Sequence, residues 1–248
     1  MARAAKSTAK RKPRSAAPPA GRRFVAGLRR WALRSLGALV ALVLAAVLVF
    51  SVFNPPTTPY MSAERVRLGA VDHEWIPIGQ IAPVMLASVV AAEDARFCDH
   101  WGFDVPAIRA AIEAGGRNGA STITQQVVKN VYLWQGRSWA RKAIEALLTP
   151  LVEAFWSKRR ILEVYLNVAE FGEGVFGIDA ASYAAFRVPP ARLDAEQAAR
   201  LAAVLPAPKR RSAASPTQAT AQRAARIRDG AATIVAQGRD ACFRPSGD

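Results

Sequence analysis

The chain has 248 residues, 51% of them hydrophobic and 21% charged, with 34 Lys/Arg against 19 Asp/Glu and a net charge of +15. This composition excludes wholesale disorder and allows one or two domains. Two Cys and two His exclude a disulfide scaffold, and a classical zinc site is not expected.

The charge is uneven. Eleven basic residues and no acid fall in residues 1–34, which leaves the rest of the chain at +4. The basicity is that of a tail, so it does not point to a body that binds nucleic acid. Up to about Gly21 the tail is Ala, Lys, Arg, Pro and Ser and is expected to be unstructured. It either touches anionic lipid or acts only as a topology signal. Residues 35–53 then run without a charge and would span about 28 Å as a helix, close to the hydrocarbon thickness of a bilayer. A cleaved signal peptide has a shorter basic region and a shorter apolar run, so an uncleaved anchor is expected. The positive-inside rule assigns 1–34 to the cytoplasm and 54–248 to the outside. Asn54-Pro55-Pro56 ends the helix, because Pro lacks the amide donor.

Beyond the span the periodicity is mostly helical, with no internal repeat. Residues 81–95 read as a helix whose apolar face reaches Glu93 near its end. Residues 105–114 form a short helix closed by Gly115-Gly116, and 121–131 another, started by Ser121 and Thr122 at the cap. Helices follow at 141–156 and 158–168. The Gly-rich 171–177 (FGEGVFG) breaks the pattern before a helix at 178–185. Residues 194–204 are capped by Asp194 and stopped by Pro206, and 219–236 form the last helix. Strand signals are confined to about 66–78. The expectation is one mainly α-helical domain.

Four places hold more polar function than a core requires. The first is Glu93-Asp94, followed by Arg96, Phe97, His100, Gly102 and Asp104. A carboxyl at the edge of an apolar wall is desolvated, which raises its pKa toward the range of a general base. The ordinary alternative is a solvated helix end with Glu93 paired to Arg96. The second is the run from Gly119 to Asn130, where Ser121, Gln125 and Lys129 would share a helix face with donors for phosphate and sugar. The third is Arg137, Arg141, Lys142 and Glu145, readable as an ordinary surface ion pair of i, i+4 spacing. The fourth is 158–177, where Glu163, Tyr165, Asn167, Phe171 and three glycines could close one side of a groove, although the block taken alone reads as an ordinary helix followed by a turn. No G-x-S-x-G, H-E-x-x-H, Walker or dinucleotide fingerprint occurs. The S-x-x-K at Ser7–Lys10 lies in the tail without a K-T-G partner, so no transpeptidase is expected.

Together these blocks resemble the family 51 glycosyltransferases, the peptidoglycan glycosyltransferases. Five motifs occur in order: E-D-x-x-F-x-x-H-x-G-x-D at 93–104, G-x-S-T-I-T-Q-Q-x-x-K-N at 119–130, R-K-x-x-E at 141–145, I-L-E-x-Y-L-N at 161–167, and the helix end at 201–208. Phe186-Arg187 departs from the family's usual Phe-Gly-Lys, and Cys98 is not part of the family pattern. The short chain and single anchor are similar to the monofunctional biosynthetic transglycosylases.

The resemblance implies a mainly α, lysozyme-like fold of two lobes around a groove. It implies three regions: a basic cytoplasmic tail at 1–34, a transmembrane signal-anchor at 35–53, and an extracytoplasmic (periplasmic) glycosyltransferase domain at 54–248 with its motif core at 93–208. It implies residence in the cell inner (plasma) membrane and polymerisation of lipid II into β-1,4-linked glycan with inversion and release of undecaprenyl pyrophosphate. Glu93 and Glu145 would be the catalytic carboxylates. Ser121, Thr122, Gln125, Gln126, Lys129, Asn130, Arg137 and Arg141 would bind pyrophosphate and sugar, with Asp94, Phe97, His100 and Gly102 in support. No protein metal site or cofactor is required, although a divalent cation on the pyrophosphate is compatible. The partners would be lipid II, the nascent strand, the bilayer and other wall or division proteins, with no nucleic acid. A lytic transglycosylase or lysozyme-like enzyme, and a non-catalytic wall scaffold, stay open as alternatives.

Two further expectations concern single features. Cys98 and Cys242 would both lie in an oxidising compartment, as a disulfide or as two free thiols. Trp75, Ile76, Ile78, Trp101 and Phe103 read as an interfacial apolar set beside the membrane, with ordinary core positions as the alternative for each.

Overall fold

A computed structural model describes residues 20–115, 121–136 and 138–244, with side chains from residue 27 onward. Ten α-helices and three short strands occur among the described residues. The chain divides into two compact units, residues 1–46 and 47–248. The expected unstructured tail and the S-x-x-K fall on residues outside the described ones, but helix α1 (Ala20–Val52) already starts before the uncharged run. Its stretch Gly27–Val52 is long and apolar enough to cross a membrane. It stops before Asn54-Pro55-Pro56, as the prolines require.

The last carbonyls of a helix have no intrahelical donor. At the end of α1 the donors come from far along the chain. Arg160 donates to Phe50 O (3.2 Å) and Phe53 O (2.8 Å), and the Trp156 indole donates to Val47 O at 2.8 Å. Arg160 also bonds Asn54 Oδ1 and pairs with Glu163. The start of the second unit is thereby fixed to α7 (Lys158–Val168) by a residue that no motif singled out.

The core is built from two helix groups. In one, α3 (Pro83–Glu93) packs against α9 (Ala195–Val204) and α10 (Gln218–Ala236). Met85, Leu86, Ala87, Ser88, Val89 and Val90 are all buried, so α3 has no polar face along its middle, as an interior helix permits. In the other, α5 (Ile123–Tyr132) packs against α6 (Trp139–Phe155) and α7. The termini are set by local chemistry. Thr122 and Gln125 form a capping box at α5, Asp194 and Gln197 another at α9, and Ser138 and Ser157 cap α6 and α7. The short α4 (Val105–Glu113), capped by Asp104, leads away from the first motif.

Two expectations are corrected. Residues 66–68 are not strand but the end of α2 (Pro59–Leu68), which Thr58 caps and Pro59 starts. Only Asp72–His73 (β1) forms strand there. The Gly-rich break is ordered as a hairpin, β2 (Glu170–Gly172) and β3 (Val175–Phe176), and β1 adds parallel to β3 with Asp72 opposite Val175. Gly177 then opens α8 (Gly177–Phe186) at φ +81, where a Cβ would lie 3.0 Å from Asn167 O. Pairing with a distant strand is what makes such short segments extended, and no window of sequence reports that. Cys98 and Cys242 are joined in a disulfide, so the free-thiol alternative falls.

Candidate active site

A cleft opens between α5, α7 and the segment 205–210 that follows α9, and Glu93, the last residue of α3, reaches one of its lining residues, Gln126. Glu93 is not paired to Arg96, which faces Asp99 and Asp104 instead. Its Oε2 accepts from Gln126 Nε2 at 3.0 Å, and Arg223 of α10 approaches Oε1 at 3.5 Å. The side chain is 13% exposed. Burial raises its pKa above the ordinary carboxylate value, against the opposing pull of Gln126, Arg223 and Lys129.

Asp94 and His100 fix the segment after Glu93. Asp94 Oδ1 meets His100 Nε2 at 2.8 Å, and Oδ2 accepts from the Ile123 amide at 3.0 Å, at the N-terminus of α5. A carboxylate there also complements the helix dipole. Phe97 is fully buried, with the Lys158 ammonium 4.5 Å from its ring centre. Lys158 in turn bonds His100 O and Glu153. Gly102 has φ +82, and a Cβ there would sit 2.5 Å from Thr149 Cγ2, so only glycine fits. Asp94, His100 and Asp104 bring ligand-type atoms within 4.8 Å of one another, but Asp94 already holds the Ile123 amide and Asp104 the Ala107 amide.

A second set of groups comes from α5 and α6. Glu145 is buried, so the surface-pair alternative falls. It accepts from Arg141 Nη1 at 3.0 Å and from Lys142 Nζ. Lys142 also donates to Ser121 Oγ at 3.2 Å, and Arg141 Nε donates to Gly136 O. Lys129 lies within electrostatic reach of both Glu93 and Glu145. Burial lowers its pKa and Glu145 opposes that, while Arg141 and Lys142 depress it further. Tyr60, Gln126, Lys129, Asn130, Tyr165 and Lys209 line a cleft of about 330 Å³ beside these groups.

The shared face expected for Ser121, Gln125 and Lys129 is not formed. Ser121 precedes the helix, and Gln125 is buried in the capping box, its Oε1 on the Thr122 amide. The Thr122 hydroxyl caps Gln125 N and donates to Gly102 O at 2.7 Å. Gln126 and Lys129 face the cleft, and Asn130 reaches it while bonding Gln135. Gly119 and Arg137 lie outside the described residues. Of the fourth block Tyr165 reaches the cleft and donates to Gln126 at 3.3 Å, whereas Asn167 and Glu163 hold Ile76 and Ile78. Arg223 and Tyr60 were missed, since both lie outside every motif. The interfacial set is also redrawn: Ile78 is buried and Trp75 sits under the Arg160 guanidinium. Exposed apolar side chains beyond α1 include Trp101, Ile112, Trp139 (92% exposed) and Leu147.

A sequence model of the family described as Transglycosylase matches residues 62–232. The chain is 56% identical over 216 residues to a protein of Jannaschia sp. (strain CCS1) named "Biosynthetic peptidoglycan transglycosylase", covering 87% of this chain and 90% of that one. Proteins with the same name from Pseudomonas putida (strain W619) and Yersinia pseudotuberculosis serotype O:1b (strain IP 31758) are 48% and 47% identical, over 81% and 76% of this chain and 89% and 83% of theirs.

Proposed function

The chain belongs to the transglycosylase family, and on that premise we propose that it is a peptidoglycan glycosyltransferase of cell-wall biosynthesis that polymerises lipid II. The acceptor 4-hydroxyl attacks the anomeric carbon of the growing strand. The bond from that carbon to the pyrophosphate oxygen breaks, and the centre inverts in a single displacement. Glu93 takes the hydroxyl proton as the new β-1,4 bond forms; its raised pKa and its contact with the cleft-lining Gln126 suit a general base. The departing lipid pyrophosphate gains charge, which Lys129, Arg141 and Lys142 stabilise. Glu145 holds Arg141 and Lys142 in place. A divalent ion would add charge to the same pyrophosphate.

The topology belongs to the same proposal. Residues 1–34 stay in the cytoplasm, α1 anchors the chain in the inner membrane, and the rest works outside it. A lipid-linked donor leaves the bilayer only at about 0.8 kcal/mol per CH₂, so the cleft must come to the membrane. The exposed apolar side chains of α4 and α6, Ile112, Trp139 and Leu147, supply that contact surface.

The observation that carries the reading is one desolvated carboxylate, Glu93, with Lys129 in electrostatic reach of it and of Glu145, which itself holds Arg141 and Lys142. Purified protein incubated with labelled lipid II should yield polymer, and Glu93→Gln should not. Cleavage of finished glycan without any polymerisation would replace the reading with a lytic one. Trp139→Ser with Leu147→Ser should weaken liposome binding beyond what α1 alone provides; unchanged affinity would confine membrane contact to the anchor.

A further inference from the structure

The end of α3 is held from behind by α10 and the segment that follows it. Beyond the helix, or in its last turn, backbone carbonyls need outside donors. Arg223 Nη2 donates to Ala92 O at 3.3 Å, and Arg239 Nη1 donates to Ala95 O at 3.3 Å. Gly230 leaves room for Ala91, whose Cβ would be 3.5 Å from any Cβ there. Three residues further on, Cys98 is bonded to Cys242. Phe243 is 2% exposed, its ring 6.4 Å from that of Phe97, and its carbonyl accepts from Arg159 at 3.0 Å. The five residues after Glu93 are therefore gripped at Ala95, Phe97 and Cys98 by one short C-terminal stretch, 239–243. Asp94, inside that interval, also holds the start of α5 through Ile123.

We propose that the Cys98–Cys242 disulfide and Arg239 are positioning groups for Glu93, holding the turn after α3 so that the carboxylate meets Gln126 and faces the cleft. This rests on Glu93 being the general base. Neither group touches substrate; each acts through the backbone of the turn. Placement errors of the order of 1 Å at a reacting group cost about a hundredfold in rate, so loosening the grip lowers turnover well before the fold is lost. Both cysteines are half-buried.

The test uses the full chain in detergent with labelled lipid II. Dithiothreitol supplies two electrons and two protons to the bond, leaving two thiols on the protein and the reductant as a cyclic disulfide. Reduction should lower kcat by about tenfold with KM within about twofold, and reoxidation should restore it. Cys98→Ser/Cys242→Ser should show the lowered rate and no response to reductant. Arg239→Ala, which leaves the disulfide intact, should lower kcat in the same way and serves if reduction unfolds the protein.

A purely structural bond is distinguished by the pH profile of kcat. The groups facing Glu93 are Gln126 and Lys129 from α5, Arg223 from α10, Tyr165 from α7 and its neighbour Asp94. Loosening the turn admits water to this set, so the acid limb should move to lower pH. Reduced protein and Arg239→Ala with the oxidised wild-type kcat and an unmoved limb would overturn the proposal. So would losses that only track the unfolded fraction. A Glu93→Gln protein that still polymerises would instead remove the general-base reading, whatever the clamp variants do.

Discussion

Glu93 and Glu145 are two little-exposed carboxylates that both lie within electrostatic reach of Lys129, and their surroundings differ in kind. Glu93 has one amide donor and one distant guanidinium, and desolvation outweighs them. Glu145 is held by two cations in direct contact. The first environment favours taking a proton, while the second anchors charges that can serve a leaving phosphate. The residue type is the same, and its neighbours assign the role.

The sharpest way to break this comparison is to neutralise each in turn. Glu93→Gln should lower polymerisation by about 10²–10⁴-fold, the usual range for a general base, and leave the fold intact. Its stability effect has a definite sign. A raised pKa means that the folded protein binds this proton more tightly than the unfolded chain. Wild type therefore loses stability as pH rises through that raised value, and Gln loses none. Thermal unfolding should show Gln and wild type alike at low pH and Gln equal or more stable at neutral pH. A Gln variant that is less stable only at neutral pH would mean that Glu93 is a structural ion-pair member.

Glu145→Gln should behave differently. It should lose activity and also about 1–3 kcal/mol of stability, because Arg141 is left little exposed without its carboxylate; Lys142 is more exposed and keeps the figure at the lower end of buried-pair values. Denaturant titration beside the lipid II assay would check both. Activity lost at unchanged stability would place Glu145 in the chemistry itself.

Lys129→Ala and Arg141→Ala test what the cations bind. Each should weaken affinity for the pyrophosphate lipid by about 1.5–3 kcal/mol and barely alter binding of a lipid-free disaccharide. Equal losses for the two ligands would make the cations structural. The smallest effect is expected at Thr122→Ala. Losing the cap should cost about 1 kcal/mol in stability, with kcat changed little once folding is allowed for. A selective fall in activity would return the hydroxyl to the substrate-binding set.

The contrast between Thr122 and Lys129 also shows how far the sequence could be read. Both belong to one motif, and helical spacing alone treats their polar groups as equivalent. The capping box turns Thr122 and Gln125 inward, and Ser121 stays outside the helix to meet Lys142. Which polar side chains are used locally and which face the cleft depends on where the helix starts, to within a single residue.

The apolar span, most helix positions, and the order and chemistry of the motifs are legible along the chain. These follow from local periodicity, caps, proline stops and residue type, all carried by neighbours along the chain. Only the tertiary structure decided that Arg223 stands by Glu93 and that Arg160 caps α1. Pairing of β1 with β3 and the bond from Cys242 to Cys98 belong there too. Each of these joins residues about 100 or more apart in sequence. Contacts at such separations arise from how the helix groups pack. No local pattern encodes them, because their energy exists only once the chain has folded.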